Sequence, residues 1–159
     1  MEFKKQPFIP MLFGVDINTY SVARAFYEEY QVKTYVFGKF PSGPSYNSNI
    51  IEYHANLKID TDEVFMQTVR DFAAAHADKT VLTIGCGDSY VALCSRHKDE
   101  MPENVIAPYI DFELMDRLQQ KELFYRLCRE HDIDFPDTLV FRHGMDLDFE
   151  LPFSFPVIL

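Results

Sequence analysis

The 159-residue chain has no tryptophan, three cysteines and six glycines, and its 15 basic residues are outnumbered by 25 acidic ones. Each shortage removes a class of function. Cys86, Cys94 and Cys128 are odd in number and lack C-x-x-C spacing, which argues against a disulfide framework or zinc ribbon and for a reducing cytoplasm. Their expected role is that of small buried or half-buried thiols. A net charge of −10 repels phosphate backbones and anionic lipid, so neither nucleic acid nor a membrane surface is an expected partner. The histidines at 54, 76, 97, 131 and 143 form no H-x-x-x-H or His–carboxylate cluster, and no metal site is expected. No apolar run reaches transmembrane length. Two lysines before "PFIPMLFG" faintly echo a signal peptide, but Pro10 breaks the run, no small-residue cleavage site follows, and Asp16 comes at once. The expected location is the cytoplasm.

Fifteen Phe and nine Tyr are present instead, which points to a core built on aromatics. The chain is long enough for one compact domain with a real interior. Its texture alternates. "FIPMLFGV" is a continuous apolar run ending at Gly14, as in a strand covered on both faces. "YSVARAFYEEY" follows with helical spacing and with Asn18 or Thr19 as expected cap. "VKTYVFG" is a second strand, the Pro-, Gly- and Ser-rich "KFPSGPSYNSN" a surface loop, and "IIEYHAN" a third strand. "DTDEVFMQTVRDFAAAHA" opens with Asp60 and Thr61 as caps and carries Val64, Phe65, Val69 and Phe72 on one face. "KTVLTIG", "SYVALCSRH" and "NVIAPYI" read as strand, helix and strand. The alternation predicts an α/β fold: a doubly wound, mostly parallel, Rossmann-like sheet over residues 1–110. In such sheets ligands gather where strand C-termini meet helix N-termini.

After Asp111 the pattern changes to "DFELMDRLQQKELFYRLCREHDI", a long amphipathic stretch forming a C-terminal helical arm of one or two helices. Pro136 ends it, and "TLVF" reads as a strand. The closing "DLDFELPFSFPVIL" has no cap, turn or polar tail, and further sequence is expected after it.

The turn "IGCG" raises its own question. A strand running into Gly85, Cys86 and Gly87 and then a helix is how many proteins hold a nucleotide, and the stretch resembles the cofactor loop of S-adenosylmethionine-dependent methyltransferases. In that family the loop follows the first strand, whereas here three strands precede it and less than half of the chain follows. Asp111, after "VIAPYI", would suit a ribose hydroxyl and keeps that alternative open. A dinucleotide fingerprint lacks its third glycine. Glycines chosen for a tight strand-to-helix turn remain the simpler account.

Two longer stretches carry a stronger resemblance. "LMDRLQQKELFYRLCREHDIDFPDTLVF", with Asp116, Arg117, Lys121, Phe124, Pro136 and Thr138, is similar to the junction that leads into the nucleotide-binding domain of ATP-grasp enzymes. "FIPMLFGVDINTYSVARAFYEEYQVKTYVFG" looks like the opening of carboxylate–amine ligases of that superfamily, and the likeness extends over essentially the whole chain. It implies a preATP-grasp domain in residues 1–110, then a helical linker and the start of a truncated ATP-grasp domain in residues 111–159. It implies a parent that joins a carboxylate to an amine through an acyl phosphate, with ATP and Mg²⁺ as cofactors. The catalytic lysines, glycine-rich flap and Mg²⁺-binding carboxylates would lie beyond residue 159, so the fragment is expected to hold no catalytic residue and to be inactive alone.

By the same resemblance Arg117 and Lys121 would reach nucleotide phosphates. Against this stand an exposed helix Arg paired with Glu113 and a solvated lysine. Asp16, Asn18, Thr19 and Tyr20 sit where the first helix would point its dipole at a substrate carboxylate, and capping alone also explains Asn18 and Thr19. Gly85, Cys86, Gly87 and Asp88 share that rim and would floor the substrate cleft. Cys86 has no matched His and Asn and is not read as a nucleophile. The expected partner is a small carboxylate or amino acid, and a homodimer stays open. A stand-alone metabolite-binding module is the competing class.

Overall fold

The computed structural model describes residues 2–146 and Ser154. They divide into two compact units, Met1–Met115 and Asp116–Leu159. The first unit is a sheet of five strands, β1 (Phe8–Phe13), β2 (Thr34–Gly38), β3 (Ile51–Ala55), β4 (Thr80–Gly85) and β5 (Val105–Ile106), in the order β3-β2-β1-β4-β5. Every pairing is parallel. The helices are α1 (Ile17–Tyr30), the single turn α2 (Gly43–Tyr46), α3 (Asp62–Ala75) and α4 (Asp88–Arg96). This is the doubly wound α/β fold that the alternating pattern predicts.

The central strand explains the pattern. Leu12 faces Ala23, Val36 and Ile51 on the α1 side, whereas Ile9, Met11 and Phe13 join Phe65, Val69 and Leu93 on the α3 and α4 side. With both faces covered, no position of β1 past Phe8 can be polar, and the run reads as uniformly apolar. Pro10 has no N–H to give, and the ladder to β2 begins one residue later, at Met11↔Tyr35. The aromatic core is real: the Phe13 and Phe65 centroids lie 4.6 Å apart, and those of Phe13 and Phe37 5.6 Å apart.

Three details differ from the sequence pattern. The cap of α1 is Asp16, two residues before the expected Asn18 or Thr19. The loop after β2 contains the α2 turn, with Pro44 in its first helical positions, where a missing N–H costs nothing. The fifth strand shrinks to Val105–Ile106, and Pro108, unable to donate, stands just beyond it. The segment after β5 is tied to α4 by Ser95 Oγ donating to Ile110 O (2.7 Å) and by Arg96 stacked 4.6 Å from the Phe112 ring centre, and to the turn that follows α4 by the Lys98–Asp111 ion pair.

Helix α5 (Phe112–Gln119) crosses the boundary between the units. The second unit continues with α6 (Lys121–Glu130). Both carboxylate oxygens of Glu122 accept from one guanidinium nitrogen of Arg142, Nη2, at 2.5 and 2.7 Å. The expected strand "TLVF" is not one: residues 138–141 are not in a strand. The closing run "FPVIL" lies outside the described residues.

Candidate functional site

Strand order reverses between β1 and β4, and this switch point is where a doubly wound sheet opens a crevice at its carboxyl edge. The turns that leave the two strands therefore meet. Gly14 ends β1 so close to its surroundings that a Cβ would fall 2.1 Å from Thr19 Oγ1 and 3.1 Å from Cys86 Cβ. Cys86 N donates to Phe13 O at 2.8 Å, binding the second turn to the first.

The polar groups gathered here are engaged with one another. Asp16 Oδ1 accepts from both the N–H and the hydroxyl of Thr19, each at 3.1 Å, while Oδ2 accepts from Asn18 Nδ2 at 3.0 Å. Partial burial pushes the Asp16 carboxyl upward, but the hydrogen bonds from Thr19 and Asn18 outweigh it and hold the group below its ordinary value. Burial pushes the Cys86 thiol up to about 11, against a hydrogen bond with Thr19 and with help from the Asp16 charge. At neutral pH it is a thiol, not a thiolate, and a poor nucleophile.

Of the residues expected at the site, Asp16 caps α1 and Asn18 and Thr19 lie in its first turn, while Gly85 ends β4, Cys86 and Gly87 form the turn after it, and Asp88 opens α4. Thr19 is fully buried beneath the turn and serves as a structural post. Asn18 and Asp88 are exposed and Tyr20 is half-buried. Gly85 and Gly87 have different roles. A Cβ on Gly85 would meet the α4 backbone at 2.6 Å, whereas one on Gly87 would meet nothing within 4 Å. Gly85 lets the helix approach the strand; Gly87 leaves the rim open.

Tyr109 is the residue that motif reading misses. Its hydroxyl accepts the Gly85 N–H at 2.7 Å and also pairs with the Cys94 thiol. Burial pushes Tyr109 well above the ordinary tyrosine value and Cys94 up to about 12. Its only signal in the sequence is its place at the end of the last apolar stretch. On the β2–β3 side of the edge, Lys39 is held by Asp60 at 2.7 Å, and Tyr53 donates to Phe40 O at 2.8 Å.

Arg117 and Lys121 belong to the second unit, Arg117 in the last turn of α5 and Lys121 opening α6. Both are exposed, and neither makes an ion pair among the described residues. The small cleft of that unit, about 180 Å³, is lined by Tyr125, Arg126, Arg129 and Phe135 among others, not by Arg117 or Lys121. Among the described residues no group of three His, Cys, Asp or Glu side chains converges to hold a metal ion. No helix among them is long and apolar enough to cross a membrane.

Compared with known proteins, the chain is 39% identical, over 163 aligned residues and 98% of its length, to the D-aspartate ligase of Enterococcus faecium (strain Aus0004). The chain is thus similar to a D-aspartate ligase along nearly its whole length. It spans 39% of that relative's length. No family model matches the chain, and no solved structure does. At the switch-point crevice the carboxylate of Asp16 and the thiol of Cys86 are both committed to holding the turns.

Proposed function

We propose that the chain is the N-terminal, substrate-side preATP-grasp domain of an ATP-dependent carboxylate–amine ligase, followed by a helical linker and the start of an ATP-grasp domain. The observation that carries this is the 39% identity to a D-aspartate ligase along 98% of the chain. In the parent, ATP and Mg²⁺ supply the phosphoryl group that turns a carboxylate into an acyl phosphate, and an amine then displaces the phosphate. A small amino acid, D-aspartate by likeness to that relative, is the carboxylate. Its negative charge suits the rim at Gly87 and Asn18, where α4 and α1 begin. Arg117 and Lys121 are the residues assigned to nucleotide phosphates, because their exposed cations have no ion-pair partner among the described residues. The setting is the cytoplasm, where the three free thiols stay reduced.

The 159-residue chain alone is inactive on this reading. One Arg and one Lys at exposed positions each contribute around 1 kcal/mol, too little to fix a triphosphate. The test has two arms. The parent-length protein, given ATP, Mg²⁺ and D-aspartate with an amine acceptor, should release ADP, and Arg117→Ala should raise its KM for ATP about five-fold. The isolated chain should release none. Turnover by the isolated chain, or saturable S-adenosylmethionine binding measured by calorimetry, would overturn the reading.

A further inference from the structure

A second cleft of the first unit lies away from the switch point, beside the edge strand β3. It arises from the crossover. Helix α3 leaves β3 and must reach β4 on the far side of the sheet, so its apolar face packs with Ile9, Met11, Phe13 and Val81 of β1 and β4. The outer strip of that sheet face is covered only at its margin, by the last turns of α3. A cleft of about 450 Å³ remains there, within the range of small-ligand sites.

Its floor and walls are aromatic. Tyr35 lies 5.0 Å from Phe72 and 5.6 Å from His76 between ring centres, and Phe37 stacks on His54 at 4.9 Å with an interplanar angle of 15°. A carboxylate stands on each lip, Glu52 on the strand side and Asp71 on the helix side, and no Lys or Arg lines the cleft. Glu52 is engaged at both oxygens, Oε2 accepting from Lys33 at 3.1 Å and Oε1 lying 3.5 Å from His54 Nε2. Asp71 accepts from the neutral Gln67 amide at 2.7 Å and makes no ion pair among the described residues. Aromatic faces present negative quadrupole, and carboxylates add full negative charge. An anion is excluded from such a cleft and a neutral ring gains only the apolar contact.

We infer that this cleft is a second binding site, for an organic cation whose flat or alkyl body lies on Tyr35 and Phe72 and whose ammonium or guanidinium faces Asp71 and Glu52. It is separate from the rim assigned to the carboxylate and does not depend on the ligase reading.

The test is calorimetric titration of the 159-residue chain with three probes of one shape: benzamidine hydrochloride, neutral benzamide and anionic benzoate. The cation should bind saturably and about five-fold tighter than benzamide, with benzoate weakest, as cation–π and carboxylate attraction at a half-exposed site require. Asp71→Asn should weaken benzamidinium binding about three-fold while leaving benzamide unchanged and the melting temperature unmoved. Equal affinity for cation and neutral probe, no binding of any probe at millimolar concentrations, or an Asp71→Asn chain that binds benzamidinium as before would each overturn the inference. Should Asp71→Asn fail to fold, the three-probe comparison on the unaltered chain decides alone.

Discussion

The crevice between β1 and β4 and the cleft beside β3 open on the same sheet, yet they treat polar side chains in opposite ways. At the switch point every carboxylate oxygen of Asp16 is taken by Thr19 or Asn18, and the Cys86 thiol is paired with Thr19. What stays open there is backbone, at Gly87. Beside β3 what stays open is side chain: the half-buried Tyr35, the exposed His54 and the Asp71 carboxylate. The first region spends its chemistry on holding two turns in register; the second has chemistry left over. A motif rich in glycine and acid is therefore a better sign of how a turn is built than of what it binds.

Substitutions at the first region rank by how much of that construction each removes. Gly85→Val should be the most damaging. Its branched side chain would have to enter space where even a Cβ lies 2.6 Å from the Tyr90 and Val91 backbone. Backbone cannot swing aside as a flexible side chain does, so α4 must move, at a cost of about 3 kcal/mol or more. Urea denaturation would show it as a large drop in midpoint or as failure to fold. Tyr109→Phe comes next. It removes the acceptor of a part-buried N–H at Gly85 and the partner of Cys94, for about 2 kcal/mol. An unchanged midpoint would mean that water replaces the hydroxyl there.

Asp16→Ala should cost about 1 kcal/mol at neutral pH, the worth of a helix cap. Its pH dependence is the sharper measurement. The folded carboxyl titrates below its ordinary value, so the stabilisation is complete above the unfolded-state pKa of about 3.9 and is lost as pH falls through the lower, folded value. The unaltered chain and Asp16→Ala should therefore differ in midpoint near pH 7 and converge toward pH 2 to 3. A gap that persists in acid would assign the effect to packing of Thr19 rather than to the charge.

How much of this is legible in sequence follows from how local each feature is. β1 to β4 and the two long helices announce themselves because burial on both faces, or on one stripe, writes a period into consecutive residues. The cap of α1 was not separable from its neighbours, since Asp16, Asn18 and Thr19 are all good capping types. The choice falls on Asp16 because β1 and its glycine end two residues before it, which fixes where the helix can start. "TLVF" has strand propensity but joins no sheet among the described residues, and propensity without a ladder gives no strand. Tyr109 and the cleft beside β3 were invisible for a different reason. Tyr109 meets Gly85 across 24 residues, and the cleft joins β2, β3 and α3, so each is made by topology and not by any short pattern.

The smallest expected effect is Gly87→Ala, and it is the one that separates building from binding at the switch point. Gly87 is the cap residue of α4, with φ −165° and ψ 157°, an extended conformation open to alanine. A Cβ there meets no atom within 4 Å. Alanine stiffens the unfolded chain, which stabilises by about 0.5 kcal/mol, but it is a poorer cap residue than glycine by a similar amount. The two effects offset, and the denaturation midpoint should stay within about 0.5 kcal/mol of the unaltered chain. If the open backbone is where a substrate carboxylate approaches, the added methyl still fills the space that the ligand needs. In the parent-length protein Gly87→Ala would then raise KM for the amino acid several-fold, with stability and the KM for ATP unmoved. Unchanged KM together with unchanged stability would return Gly87 to the surface residues and leave Gly85 as the only glycine of "IGCG" with a demonstrable purpose.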